Sequence, residues 1–183
     1  METRYLLGCD PGWKNWGSAL LKEENGELEL VHTWLLNPST FPSVSHFAEH
    51  LWNEVSCFDQ RTVSSVVIER FVPFGGQATA EAEAINHTIG SLCGIIRLKD
   101  PFLQPLLVRS VEWKTALVKA LVKTKGFDNP SATLDKKFSF AAAEACLDFE
   151  KLDKERTDHE ADSICLAAYP QIMKNVQLLK KLP

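Results

Sequence analysis

Four side chains in this 183-residue sequence have the types and spacing to do chemistry together: Asp10, Glu69, His159 and Asp162. Asp10 ends the apolar run Tyr5-Leu6-Leu7-Gly8-Cys9, and Glu69 ends the β-branched run Val66-Val67-Ile68. His159 and Asp162 stand three apart; such residues share a helix face, with about 4.5 Å of rise between them. If the two apolar runs are neighbouring strands, both acids point from adjacent strand ends at one spot. A helix carrying His159 and Asp162 can close on that spot. Carboxylates crowded in a low-dielectric cleft repel unless a proton is trapped or a cation compensates. Three carboxylates and an imidazole suit one or two hard ions such as Mg²⁺, with Mn²⁺ also acceptable. Two ions roughly 4 Å apart hold the attacking water and the leaving oxygen of a phosphodiester. Metal-assisted phosphodiester hydrolysis is the chemistry this set suggests.

Each residue also has a plainer use. Asp10 precedes Pro11-Gly12 and serves equally as a turn former, and Glu69 as a surface acid at a strand end. A lone His159 serves as a helix cap or a surface histidine. Asp162 is harder to dismiss. It lies in the nearly all-apolar run Ala161 to Ala168, where an unpaired Asp is costly to bury. Thr157 and Asp158 both qualify as N-cap, and Asp158 also suits the positive end of the helix dipole or a stand-in ligand role.

Stepping outward, the chain must supply the elements that position these groups. Residues 4–9, 17–22 and 28–35 read as strands, the last two joined across Asn25-Gly26, a hairpin dipeptide. Val44, Phe47, Leu51, Val55 and Phe58 recur at helical spacing over 43–58. A buried strand over 64–68 follows, then a loop with Pro73, Gly75 and Gly76, then an Ala-rich helix over 77–98. Leu106 to Val108 is a short strand. Helices are expected over 111–122, with lysines on the outer side, 138–149, and 158 to about 173. The order βββαβαβααα implies an α/β protein with a mixed sheet and helices on both faces.

Composition limits the alternatives. The sequence is 45% hydrophobic and 24% charged, too apolar for disorder, and it holds no 18-residue apolar stretch to span a membrane. The length suits a single domain over 1–183. The start, Met1-Glu2-Thr3-Arg4, lacks a signal-peptide layout, so a cytoplasmic location is expected. The five cysteines form no CxxC pair and read as buried free thiols. The net charge of −4 argues mildly against nucleic acid, yet residues 97–137 carry nine basic against four acidic side chains. A local basic face on an acidic protein is compatible with that pattern, as is solvated helix surface.

Three segments carry a family resemblance. Leu7-Gly8-Cys9-Asp10-Pro11-Gly12, with Asn15 and Gly17 beyond it, resembles the opening motif of RuvC-type Holliday junction resolvases. Val66-Val67-Ile68-Glu69 resembles the second acidic motif, and His159-Glu160-Ala161-Asp162-Ser163 the C-terminal one. Order, separation and total length agree over roughly residues 4–170. The resemblance implies an RNase H-like fold with a five-stranded mixed sheet, its first three strands antiparallel. It further implies a homodimer and Mg²⁺-dependent nicking of branched DNA, above all four-way junctions, in recombination and repair. By the resemblance the metal ligands are Asp10, Glu69, His159 and Asp162. Many members have Asp where this chain has His159, and some have His; the imidazole leaves the site one charge less negative. Phe71 or Phe74 matches a Phe that packs against junction bases. Lys114, with Lys136 or Lys137, matches basic residues that contact phosphates, and helix 77–98 matches the dimer interface.

On this reading Asp10 and Asp162 are the central ligands of a two-ion site and Glu69 holds or orients a metal. His159 is a ligand or the proton acceptor for the attacking water, its ordinary pKa of about 6.5 suiting a base at neutral pH. Attack in line on phosphorus releases a 3′-hydroxyl and a 5′-phosphate. Trp13 and Trp16 are expected to pack in or against the core. Other readings are a nuclease of the same fold acting on flaps, forks or structured RNA, and a non-catalytic junction-binding module. A phosphotransferase of the actin and sugar-kinase type needs two lobes and about twice this length.

Overall fold

The structure is a computed structural model describing residues 3–57, 63–72, 79–128, 136–148, 150–153 and 155–179. Five strands form one sheet: β1 (Arg4–Asp10), β2 (Trp16–Glu24), β3 (Glu27–Leu36), β4 (Val63–Glu69) and β5 (Leu106–Val108). Their spatial order is β3-β2-β1-β4-β5. The pairs β1–β2 and β2–β3 are antiparallel, while β1–β4 and β4–β5 are parallel. Asn25 and Gly26 both take positive φ, 58° and 89°, the conformation that lets a two-residue hairpin follow the strand twist.

The helices are α1 (Val44–Cys57), α2 (Ala80–Lys99), α3 (Ser110–Lys125), α4 (Lys136–Cys146) and α5 (Asp158–Leu179). Helices α1 and α2 cover one sheet face, on Tyr5, Leu7, Cys9, Trp16, Leu20, Val66 and Ile68. Helices α3, α4 and α5 cover the other, on Leu6, Ala19, Leu21, Val67 and Val108. Side chains alternate across a strand. Asp10 therefore shares the face of Leu6 and Gly8, and Glu69 that of Val67. Both acids project toward α5.

The expected strands and helices are present with different ends, while the expected loop at Pro73, Gly75 and Gly76, and Phe58 at the end of the first expected helix, lie outside the described residues. Helix α4 ends at Cys146, short of residue 149, where the chain turns and Asp148 adopts φ 54°. Helix α5 runs on to Leu179 through Pro170, whose ring removes one backbone donor without ending the helix. Helix α2 begins at Ala80, its N-cap Thr79 accepting a hydrogen bond from the Ala82 N–H, rather than at 77. Cys9, Cys146 and Cys165 are buried free thiols as expected, but Cys57 is exposed at the end of α1 and Cys93 is half-buried. Trp16 is fully enclosed, and Trp13 packs against the core from its rim. No helix among the described residues is long and apolar enough to cross a membrane.

Candidate active site

Asp10 and Glu69 leave the sheet from adjacent parallel strands, one residue beyond the Cys9–Ile68 pair. Helix α5 brings the other two groups by lying directly on the sheet's main chain. A Cβ at Gly8 would overlap the Ser163 carbonyl and the Ala167 backbone, and one at Gly17 would overlap the His159 carbonyl. Gly17 is the β2 partner of Asp10. The helix thus touches down beside the first acid, and its first turn delivers His159 and Asp162.

Three contacts define the cleft. The His159 Nδ1 lies 2.6 Å from Asp10 Oδ2. The Trp113 indole N–H donates to Glu69 Oε2 at 2.7 Å. The Lys114 ammonium donates to Asp162 Oδ2 at 2.8 Å. Consecutive residues of α3 therefore each hold one acid. Sequence reasoning missed Trp113; nothing distinguished this fully buried tryptophan from an ordinary core residue.

The electrostatics are those of crowded acids. Burial, reinforced by the neighbouring Asp10 carboxylate, pushes Glu69 up to about 7, against the pull of the Trp113 N–H and Lys114. Burial also raises Asp162, partly offset by Lys114. The hydrogen bond to Asp10 raises the His159 imidazole and outweighs burial. Burial alone would lower Lys114, but Asp162, Glu69 and Asp10 together lift it. Three carboxyl groups face one ammonium and one imidazole in this cleft, so a further cation is favoured there.

The remaining expected residues are placed as follows. Lys114 does not lie on the outer side of its helix: its side chain is 13% exposed, because the buried carboxylates draw the ammonium inward. Lys136 and Lys137 are exposed at the start of α4, and Lys136 pairs with Asp158 at 3.2 Å, next to His159. Phe71 is half-buried against the core under α1 and α2. Phe74 lies outside the described residues. Thr157, not Asp158, caps α5, its hydroxyl accepting from the Glu160 N–H.

Among the described residues, no three His, Cys, Asp or Glu side chains close tightly enough to hold a metal ion as they stand. Each acid is instead tied to a different partner. The donor chemistry nevertheless suits a hard divalent cation: carboxylate oxygens and one imidazole. Asp162 supplies a specific sign of fit: Lys114 takes Oδ2, while Oδ1 is buried, with only the Ser139 hydroxyl nearby to favour its charged form.

A mixed five-stranded sheet with three antiparallel strands, clothed by helices on both sides, is the RNase H-like fold. Within that class the chain is similar to Thermus thermophilus RuvC, solved in complex with Holliday junction substrate. That structure has a TM-score of 0.67 and 14% identity, over 94% of this chain and 96% of that one. It is also similar to the yeast mitochondrial Holliday junction resolvase Ydc2, with a TM-score of 0.58 and 14% identity over 96% and 82% of the two chains. No protein-family model and no curated protein matches the chain.

Proposed function

We propose that this chain is a divalent-metal-dependent endodeoxyribonuclease, a single domain over 1–183 that cuts branched DNA and foremost the four-way junction. The observation that carries the reading is the convergence of Asp10, Glu69, His159 and Asp162 on the α5 face of a RuvC-like sheet, with two of the carboxylates raised by mutual crowding and burial. Mg²⁺ or Mn²⁺ is the cation that suits the four ligands, with two ions per site. When bound, such ions supply Lewis acidity for phosphodiester hydrolysis.

The chain's own residues do the rest. Asp10 fixes the His159 ring through Nδ1, which leaves Nε2 as a ligand for the cation or as the proton acceptor for the attacking water. Trp113 holds Glu69 on one carboxylate oxygen and leaves the other to bind. Among the described residues Lys114 is the lysine drawn into the cleft, where it would meet a phosphate oxygen when Asp162 holds a cation. Lys136 and Lys137 at the cleft edge add phosphate contacts, which give affinity without sequence choice. Phe71 and Phe74 are the candidates for stacking at the branch point.

A homodimer belongs to the same reading. The outer side of α2 has open space at Gly90 and Gly94; Leu98 in its last turn and Phe102 just beyond it are 79% and 95% exposed. A two-fold pair sets two clefts on opposing strands of a symmetric junction.

The test uses a synthetic four-way junction with and without Mg²⁺, beside forks, flaps and structured RNA. Cleavage of the junction is expected only with the metal, and Asp10→Asn is expected to bind the junction without cutting it. Mg²⁺-supported nicking by Asp10→Asn would overturn the assignment.

A further inference from the structure

The first turn of α5 is tied down by a side chain from the far edge of the sheet. Glu160 stands between His159 and Asp162 in sequence, but its carboxylate turns toward β3 rather than into the cleft. Its Oε2 accepts from the Thr157 backbone N–H at 2.9 Å and from the Thr157 hydroxyl at 3.1 Å. Its Oε1 accepts from the Thr33 hydroxyl at 2.8 Å. The Arg156 guanidinium stands 3.7 Å from Oε1 and also donates to the Thr33 hydroxyl. Thr33 Oγ1 is thereby used both as donor and as acceptor.

Half of this arrangement is a capping box, Thr157-x-x-Glu160, which any helix start can use. The cap needs neither Thr33 nor Arg156. The second half ties the cap's spare oxygen to a strand 127 residues away. Thr33 pairs with Ala19, two residues along β2 from Gly17, and Gly17 is where the His159 carbonyl touches the sheet. The first turn therefore rests on β2 through main chain and on β3 through Glu160. The seat at Gly8 holds the body of α5, so the Glu160 tie acts on its first turn, where a tilt or local unwinding would swing the His159 ring off Asp10.

We propose that Thr33, acting through Glu160, is a positioning residue that sets the angle of the first turn of α5, holding His159 on Asp10 and Asp162 in the cleft. The inference rests on the function proposed above for its consequence in catalysis, and on geometry alone for its effect on His159. Outer partners of ligating groups commonly cost about 10- to 100-fold in metal affinity or activity when removed.

The experiment compares full-length wild type, Thr33→Val, which keeps the shape and loses the hydroxyl, and Thr33→Ser, which keeps the hydroxyl. Three quantities are read: the ¹⁵N imidazole resonances of His159 in metal-free protein at one pH, Mn²⁺ affinity by electron paramagnetic resonance, and kcat and KM on a four-way junction. Thr33→Val is expected to shift the His159 resonances, weaken Mn²⁺ binding about 10-fold and lower kcat by a similar factor with KM unchanged. Thr33→Ser is expected to restore all three. If Thr33→Val does not fold, Arg156→Gln carries the same readouts. Unchanged His159 resonances and wild-type Mn²⁺ affinity in the folded Thr33→Val or Arg156→Gln variant would overturn the proposal, as would losses that Thr33→Ser fails to restore. If wild type neither binds Mn²⁺ nor cuts, while the resonances move in Thr33→Val and return in Thr33→Ser, the nuclease reading fails and the clamp stands.

Discussion

Lys114 and Asp162 form an ion pair at 2.8 Å inside the cleft, their side chains 13% and 12% exposed. A pair this sheltered behaves unlike a surface salt bridge, because each ion has lost most of its water. Removing one partner leaves the other charged and unsolvated. Here the ammonium serves as an internal counter-ion for an acidic cluster that would otherwise repel itself.

Lys114→Met is expected to destabilise the metal-free protein by about 3 kcal/mol, since Asp162 is left buried without a cation. Urea denaturation in EDTA measures this. Adding Mg²⁺ should recover part of the loss. Wild-type stability of Lys114→Met in EDTA would show that the pair contributes little.

The pH dependence has a definite sign. Glu69 ionises near 7 in the folded protein, above its unfolded value of 4.5, so folding favours its protonated form. Asp162 and His159 are raised as well. Stability from such groups is fully present below their unfolded pKa values and is lost as pH rises through the folded ones. In EDTA the melting temperature is expected to fall between about pH 4.5 and pH 7.5, with Glu69→Gln flattening the slope. A melting temperature that climbs over this range in wild type, or an unchanged slope in Glu69→Gln, would contradict the assigned shift.

Gly17→Ala places a methyl group where the His159 carbonyl lies, so α5 must lift or tilt. Overpacking of this kind costs about 1–3 kcal/mol. The larger expected effect is on chemistry, because an error of about 1 Å in a catalytic group can cost on the order of 100-fold in rate. Junction cleavage by a Gly17→Ala protein that still melts cooperatively is the measurement. Wild-type kcat would mean that this contact does not set the site.

Much of this arrangement was legible from residues alone. The apolar runs Tyr5 to Cys9 and Val66 to Ile68 already put Asp10 and Glu69 at strand ends, and the spacing of His159 and Asp162 put them on one helical turn. What stayed hidden were partners chosen by tertiary packing. Trp113 looks like any core tryptophan until β4 places Glu69 beside its N–H. Lys114 looks like a solvated lysine because helical periodicity cannot register a buried acid on another element. Glu160 and Thr33 lie 127 residues apart with no shared pattern. The separation between strand ends and partner choice is physical: the first is written in local apolar runs, the second in contacts that exist only after the sheet has formed.

The seating of α5 at Gly8 and Gly17 sets a dimension. With bare backbone on both sides, the gap between helix and sheet is fixed by the bulk of the polypeptide itself. No shim of side-chain carbons can be trimmed or thickened there. The width of the cleft is thus inherited from peptide geometry, and sequence drift elsewhere leaves that gauge untouched.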